Sequence, residues 1–426
     1  MRSSKPTKSR PLYGIRRHRG DYRIILYMGA LMLFGLVVMY AIGPQRAHVL
    51  NNAFSDANYT DTHFFVRQSM YLIIAIGAFI TMAKLPVSWL RSHTQQILLT
   101  AFLLCTLLAI GGAVGLPIVP EIGGAYRWFN FGGFASLQPS EMLKFAILIF
   151  GAAFLALRVR ENSVNDRDAS LIPMAIVLAA ASFFVIVLQK DMGTGMSLLA
   201  IVVAMYIAAG ANKKVGAIAI AAILLAGVAL IIAAPHRMER VAAFLAGDSV
   251  TTSNDETYQI AHAKIAIGSG GLTGVGIGNS VQATGYLPEV INDAVFAVLG
   301  EMFGFVGLVI ILGLYGGLLI RLLSIADRSA EPLLRFIAVG IFGWLAAHVI
   351  INVGSVTGLM PLTGITLPLL SFGGTSMIVM SAVLGLAFQI SQYTQYDTVK
   401  NGGYNEGTRS RRGVGRSRHA NRSRTT

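Results

Sequence analysis

Charged residues are scarce in this sequence, and that scarcity excludes an ordinary soluble chain. Asp, Glu, Lys and Arg make up only 13% of its 426 residues, about half the share found in an average soluble domain. Hydrophobic residues account for 54%, and the mean hydropathy is +0.63. This composition is typical of a protein embedded in lipid.

Cysteine and clustered histidine are also nearly absent. Cys105 is the single cysteine and lies inside an apolar run, which excludes a disulfide framework and a cysteine metal site. The eight histidines are scattered, and none forms a pair at the spacing of metal ligands. The sequence also shows no clear internal repeat and no separate soluble domain.

Long apolar runs are what the sequence has instead. Crossing about 30 Å of hydrocarbon takes about 20 residues of helix, and ten runs approach that length when they are extended through small or weakly polar neighbours. They are Ile24–Ile42, Tyr71–Met82, Ile97–Val114, Phe145–Leu157, Leu171–Leu188, Met196–Ala209, Val215–Ala234, Phe303–Leu323, Leu334–Val356 and Met377–Ile390. The sequence therefore predicts an all-α polytopic membrane protein with about ten transmembrane helices.

Lys and Arg gather at the two ends of the chain and account for much of the net charge of +14. Basic residues collect on the cytoplasmic side of membranes, so residues 1–22 and 393–426 are predicted to be cytoplasmic tails. They flank a single ten-span domain over 23–392, with a large extracytoplasmic loop at 235–293 between spans 7 and 8. Basic tails can bind nucleic acid, but contact with membrane lipids is the simpler interpretation, and no nucleic-acid partner is expected.

Three connections on the predicted outer face are long or unusual: Gly115–Gln138, Pro235–Asn292 and Gly358–Gly374. Long loops are commonly functional.

The glycine-dense stretch "IGSGGLTGVGIGNS" (Ile267–Ser280) lacks the strand–turn–helix setting of a dinucleotide fingerprint, so no organic cofactor is expected. Its glycines favour tight turns and close approach of the backbone.

Polar residues inside or beside spans are costly and therefore informative. Glu141 and Lys144 share one helix face because they are three residues apart, and they can either neutralise each other or mark a functional site. Asp191, in "LQKDMGTG", can cap the next span, with Thr194 three residues later. That capping role does not exclude a function.

Three carboxylates crowd the entrance to the span that begins within "GYLPEVINDAVFAVLGEMFGFVG" (Gly285–Gly307). Capping of the helix is the simplest role for Asp293, but it does not explain Glu289 and Glu301. Glu289 fits a solvated loop charge, whereas Glu301 would need a polar partner inside the bundle. The glycines at 300 and 304 should let another helix approach this one closely.

Five motifs, in order along nearly the whole chain, resemble those of the SEDS family, which includes FtsW and RodA. They are "GAYRWFNFGGFASLQPSEMLK" (Gly124–Lys144), "QKDMGTG" (Gln189–Gly195), "YQIAHAKIAIGSGGLTGVGIGNS" (Tyr258–Ser280), "LPEVINDAVFAVLGE" (Leu287–Glu301) and "INVGSVTGLMPLTGITLPLLSFGGTS" (Ile351–Ser376). The last is slightly closer to FtsW. Lys190, where the family usually has proline, and His348, where it usually has glutamine, are departures.

The resemblance implies a SEDS-type fold and an enzyme that polymerises lipid II into peptidoglycan strands at the bacterial plasma membrane. The closer likeness to FtsW implies that it acts at the division septum. It implies a class B penicillin-binding protein as partner, other divisome proteins around it, and a divalent cation, Mg²⁺ or Mn²⁺. Asp293 matches the essential aspartate of the family and is our candidate general base. Substrate binding is assigned to residues that lie in these motifs, all but one of them polar or charged: Arg127, Gln138, Glu141, Lys144, Asp191, Thr194, Lys264, Ser371, Gly374 and Ser376.

Alternatives remain open at this stage. A flippase or transporter of lipid-linked precursors could line a pathway with Glu141, Lys144 and Asp191, although such proteins often show repeats. A RodA-like polymerase would serve elongation and cell shape rather than division. A scaffold that recruits a synthase would use its charges only for capping and pairing.

Overall fold

The computed structural model describes residues 19–53, 58–132, 135–212 and 255–394. In chain order its α-helices are Tyr22–Ala53 (α1), His63–Lys84 (α2), Val87–Ser92 (α3), Thr94–Val114 (α4), Pro139–Arg160 (α5), Ile172–Ser182 (α6), Met192–Ala208 (α7), Asp255–Ser269 (α8), Val295–Arg328 (α9), Pro332–Val356 (α10) and Gly374–Ser391 (α11). Two π-helical segments, Arg167–Leu171 and Phe183–Leu188, extend α6 at its two ends, and a 3-10 turn covers Gln282–Thr284.

Hydropathy locates the membrane helices well. Within the described residues, eight helical segments are long and apolar enough to cross a membrane, and α7 is a shorter apolar helix. Nine of the ten predicted runs coincide with these segments. The tenth, Val215–Ala234, lies outside the described residues, as do the first part of the predicted outer loop and nearly all of both tails.

Helices α10 and α11 form the centre of the bundle. Over their most apolar stretches, 72% and 89% of residues are buried, against 17% for Arg167–Leu188 at the periphery. Close packing at the centre depends on glycine: Gly374 lies against the ring of Tyr71, and Gly385 lies against the main chain of Phe79. Any Cβ at these positions would collide with α2, so the two glycines allow α2 and α11 to pack closely.

The segment between α4 and α5 forms two small antiparallel ladders. Strand β1 (Glu121–Ile122) pairs with β2 (Ala125–Tyr126), and β3 (Phe129–Phe131) pairs with β4 (Ala135–Leu137). The two-residue turn between β1 and β2 is built from Gly123 and Gly124, both at positive φ, a conformation that glycine adopts without steric cost. These ladders give order to the first predicted outer connection.

Helix α9 is broken at Gly304, where φ is 65° and ψ is −166°. The turns after α8 supply hydrogen bonds that the helix loses at the break. They run from Val275 N–H to Glu301 O, from Gly276 N–H to Met302 O, from Phe305 N–H to Gly271 O and from Val306 N–H to Leu272 O. The glycine-dense stretch is therefore inserted into the interrupted helix, where backbone groups must find partners.

The approach of this stretch depends on small residues. A Cβ on Gly274 would lie 2.2 Å from Met302 O, and one on Gly270 would lie 1.9 Å from Gly300 O. The glycines at 300 and 304 thus allow close packing, as predicted, but they receive the end of α8 and its following turns rather than another membrane-spanning helix.

Candidate active site

Asp293 lies in a run of turns immediately before α9 and is half-buried. Its Oδ1 is 3.4 Å from Gln259 Nε2 of α8, and a Cβ built on Gly364 would lie 3.9 Å from its Oδ2. The capping role considered for Asp293 is wrong, because Ala294 occupies the cap position and no side chain caps α9. The Asp293 carboxylate is therefore not a helix cap of α9.

The surroundings of Asp293 weaken its acidity. Desolvation, and then the negative charge of Glu289, raise the pKa of Asp293 to about 7. Hydrogen bonds from its own N–H, from the N–H of Ala294 and from Gln259 oppose this rise without cancelling it. A carboxyl group with a pKa near the operating pH can both accept and release a proton, as a general base requires.

Asn352 of α10 fixes the backbone at this point. Its Nδ2 donates to Asp293 O and to Ile365 O, each at 2.7 Å. One buried side chain therefore ties α10, the Asp293 turn and the segment before α11 together. In the described part of the chain its Oδ1 is buried and has no hydrogen-bond partner.

A buried polar network continues one turn back along α10. His348 Nε2 lies 3.0 Å from Lys144 Nζ and 3.2 Å from Trp344 Nε1, and its Nδ1 lies 3.4 Å from Thr366 O. Lys144 also contacts Glu141 at 2.7 Å, and its side chain is 0% exposed. Of the two roles considered for this pair, the structure shows the ion pair, and Lys144 is enclosed rather than open to a substrate.

Asp191 caps α7, as predicted. Its Oδ1 accepts from Thr194 N–H at 2.9 Å, and its Oδ2 accepts from the Thr194 hydroxyl at 2.8 Å and from Gln138 Nε2 at 3.3 Å. Gly193, two residues after Asp191, lies directly against Ile365 and Thr363, where a Cβ would meet Ile365 Cγ1 at 2.3 Å. The segment that Asn352 ties to Asp293 therefore also packs on the Asp191 turn.

Arg127 and Lys190 tie the outer hairpins to this turn. Arg127 donates from Nε to Gln189 O and from an Nη to Lys190 O, both at 2.9 Å, and Lys190 Nζ donates to Gly124 O at 2.7 Å. Arg127 thus uses two N–H donors on carbonyls, and a guanidinium has five. Both cations are therefore held by backbone carbonyls at the same end of the bundle.

The other two carboxylates of the entrance have different surroundings. The side chain of Glu289 is 49% exposed and lies 3.9 Å from Arg46 of α1, in agreement with a solvated loop charge. Glu301 is buried and accepts from the Ser280 hydroxyl and from the N–H groups of Val281 and Gln282. The predicted polar partner of Glu301 is therefore the outer loop itself.

The remaining predicted residues lie in the packing around the centre of the bundle. Lys264 of α8 packs against Gly358, and the Ser371 hydroxyl accepts from Leu367 N–H at 2.9 Å. Gly374 and Ser376 begin α11, and Ser376 is buried. The Ser371 hydrogen bond lies within the segment that also carries Ile365.

Sequence reasoning missed three residues that contact this site or support it: Gln259, Trp344 and Asn352. Two of them carried a usable signal, because Trp344, His348 and Asn352 recur every four residues on one face of an apolar span. A polar stripe of this kind inside a span marks a bundle interior that needs polar partners. Gln259 carried no comparable signal.

The fold defines a polytopic integral membrane protein, and Asp293 lies in an ordered turn at one end of its bundle. Residues 22–396 match the family of FtsW, RodA and SpoVE, described as cell cycle proteins. This match covers most of the chain, and the chain therefore belongs to that family.

Individual relatives agree with this assignment. Stage V sporulation protein E of Bacillus subtilis (strain 168) is 33% identical over 378 residues, which cover 88% of this chain and 98% of that protein. A probable peptidoglycan glycosyltransferase FtsW of Nitrosomonas europaea is 32% identical over 372 residues, covering 85% and 92%.

Solved structures share the fold. A chain of a peptidoglycan synthase complex that coordinates polymerisation and crosslinking superposes with a TM-score of 0.69 at 26% identity, covering 88% of this chain and 99% of that one. The rod shape determining protein RodA of Thermus thermophilus gives a TM-score of 0.60 at 24% identity, covering 89% and 98%. The RodA likeness bears on the fold alone.

Proposed function

We propose that this protein is a peptidoglycan glycosyltransferase that polymerises lipid II, with Asp293 as general base and undecaprenyl diphosphate as leaving group. Relatives that carry the name peptidoglycan glycosyltransferase FtsW match it over most of their length at 31–33% identity. The observation that carries the proposal is the Asp293 carboxyl group, held by an ordered turn with its pKa raised to about 7.

The reaction needs one proton acceptor and one stabilised leaving group. An acceptor sugar hydroxyl attacks the anomeric carbon of the donor, its proton passes to Asp293, and a new C–O bond forms as the bond to the diphosphate oxygen breaks. A carboxylate of moderately raised pKa is a stronger base than an exposed one and is still ionised in about half of the molecules near pH 7. Attack opposite the diphosphate inverts the anomeric configuration.

Positive charge near the diphosphate has to come from residues at the outer surface. Arg127 and Lys190 fit this role, because carbonyl contacts fix both side chains and leave N–H donors over. Preorganised donors of this kind stabilise charge that develops on a leaving group. Lys144 does not fit it, because it is enclosed between Glu141 and His348.

We propose that the divalent cation implied by the resemblance binds together with the substrate, through its diphosphate. In the ranges that the structure describes, no three His, Cys, Asp or Glu side chains come close enough to hold a metal, so these residues do not form a protein cage. Mg²⁺ is commonly bound through substrate phosphates and only one or two carboxylates. No step of the mechanism is routed through the ion.

The wider setting follows from the relatives. Several are named FtsW, and a matching structure is a peptidoglycan synthase complex. The FtsW names support a role in septal synthesis, and the complex supports a class B penicillin-binding protein as partner. We infer that other divisome components work beside them. We place both termini in the cytoplasm, since basic residues dominate both tails. An elongation polymerase of the RodA type uses the same chemistry and differs in its partners.

Reconstitution tests the proposal. Purified protein with its penicillin-binding partner receives labelled lipid II, and wild type is compared with Asp293→Asn and Asp61→Asn. Asp61 is a matched control, an acid at the same end of the bundle whose side chain is 66% exposed. Glycan strands from wild type and Asp61→Asn but not from Asp293→Asn support the enzyme. Translocation of lipid II without polymer points to a flippase, and neither activity points to a scaffold.

A further inference from the structure

A small cleft lies at the end of the bundle opposite Asp293. Helices α5 and α10 are antiparallel there: Lys144 meets His348 near the outer end, whereas Arg160 meets Glu331 at the other. The 25 residues of α10 span about 37 Å at 1.5 Å per residue. The cleft is lined by Arg91, Ala153, Ala156, Leu157, Arg160 and Leu333.

The charge in this cleft is unbalanced. Arg91 and Arg160 approach the same oxygen, Glu331 Oε1, at 3.8 and 3.7 Å, distances beyond a hydrogen bond. One carboxylate cannot neutralise two guanidinium groups. The two arginine side chains are 48% and 50% exposed, so their N–H donors can reach an incoming anion, and the guanidinium fork matches phosphate geometry.

The rest of the cleft is apolar. Ala153 and Ala156 are three residues apart on one face of α5, and their small side chains leave the space, while the neighbouring Leu157 is 49% exposed. Trp89 lies on the same short helix as Arg91 and is 44% exposed. Tryptophan is enriched at the membrane–water interface, which favours a depth near the lipid headgroups for the two arginines.

We propose that this cleft binds an anionic phospholipid of the adjoining leaflet, with the headgroup phosphate on Arg91 and Arg160 and an acyl chain along Ala153 and Ala156. Basic pockets between transmembrane helices are suited to such headgroups. The apolar floor distinguishes a lipid from free phosphate, which would gain nothing from it. The proposal rests on this end of the bundle alone and does not depend on the proposed enzymatic function.

Native mass spectrometry of the full chain in detergent tests the site, with phosphatidylglycerol, phosphatidylcholine and inorganic phosphate as probes. Wild type should retain phosphatidylglycerol in preference to phosphatidylcholine. The double variant Arg91→Gln/Arg160→Gln should bind phosphatidylglycerol about thirtyfold more weakly, given about 1 kcal/mol per basic residue near the surface. Arg335→Gln, an exposed arginine of α10 that does not line the cleft, should bind as wild type does.

Two further variants separate lost binding from lost folding. Glu331→Gln removes the competing carboxylate and should tighten the binding of phosphatidylglycerol, which misfolding could not do. Ala153→Leu fills the apolar floor and should weaken phosphatidylglycerol without changing inorganic phosphate. Wild-type retention of phosphatidylglycerol by the double variant would overturn the proposal. So would full displacement of the lipid by millimolar inorganic phosphate, which would make the cleft a free-phosphate site.

Discussion

Asp293 and Glu301 are close together in the sequence, yet their carboxylates differ in burial and in the number of hydrogen-bond donors around them. Glu301 is buried at 2% exposure and is surrounded by donors from the outer loop. Asp293 is half-buried, has a second carboxylate nearby and, among the residues that the structure describes, receives from another side chain only a long contact to Gln259. Burial without full compensation raises the free energy of the ionised form, and such sites are where function is commonly found.

The largest effect should come from removing the poorly compensated carboxylate. Asp293→Asn keeps the shape and loses the base, so lipid II polymerisation should fall about 10²- to 10⁴-fold, the range of general-base contributions. Strand length and yield on gels measure this loss.

Stability should not fall with it. The folded state holds the Asp293 proton more tightly than the unfolded chain, so its ionisation costs stability as pH rises from about 4 toward 7. Asp293→Asn removes this cost, and its unfolding temperature at pH 8 should be no lower than that of wild type. Polymerisation at the wild-type rate by this variant contradicts the assignment of Asp293.

The next largest effect is a loss of stability when the buried Glu141–Lys144 ion pair is broken. Lys144→Met leaves Glu141 buried without its cation, which should cost about 3–5 kcal/mol and reduce the yield of folded protein. The double variant Glu141→Gln/Lys144→Met should recover much of that loss, because no charge is stranded. Thermal unfolding in detergent measures both, and equal destabilisation of single and double variants would refute mutual neutralisation.

A smaller effect is expected at the loop contact of Glu301. Glu301→Gln keeps the size of the side chain but replaces one acceptor oxygen with an amide, so at least one of its loop donors is left unpaired, at about 1–3 kcal/mol. We expect a lower unfolding temperature and faster amide exchange around Val281 and Gln282. Unchanged exchange there would show that Glu301 does not hold the loop.

The smallest expected effect is a shift in the pH dependence of the polymerisation rate. Since Asp293 must be ionised to act as base, the polymerisation rate should rise through about pH 7 and level off above it. Glu289 raises the pKa of Asp293, so Glu289→Gln should move that rise to lower pH. Asp61→Asn serves as the control and should leave the profile in place. A profile that Glu289→Gln does not move would remove Glu289 from the electrostatics of the site.

The sequence predicted those features that depend on local chemistry. Apolar runs located nine helical segments because span length follows from bilayer thickness. The three-residue spacing of Glu141 and Lys144 and the capping position of Asp191 were enough to predict their contacts. The family resemblance supplied the choice of Asp293, which spacing alone would have left as a helix cap.

Long-range partners could not be predicted. The two carbonyls bound by Asn352 belong to Asp293 and Ile365, and nothing in a span sequence says which loops fold over its end. The break at Gly304 was equally hidden, because the apolar run continues through it and a lone glycine fits both a packed and an interrupted helix. Lys144 was assigned to substrate binding, and its contact with His348 on the far side could not be predicted from the sequence.

The interruption of α9 couples two parts of the chain that would otherwise behave independently. Because the inserted turns complete the ladder of that helix on both sides of Gly304, neither can open without exposing unpaired amides of the other. The turns after α8 and the part of α9 around Gly304 should therefore unfold as a single cooperative unit, and the Asp293 turn next to them should share its stability.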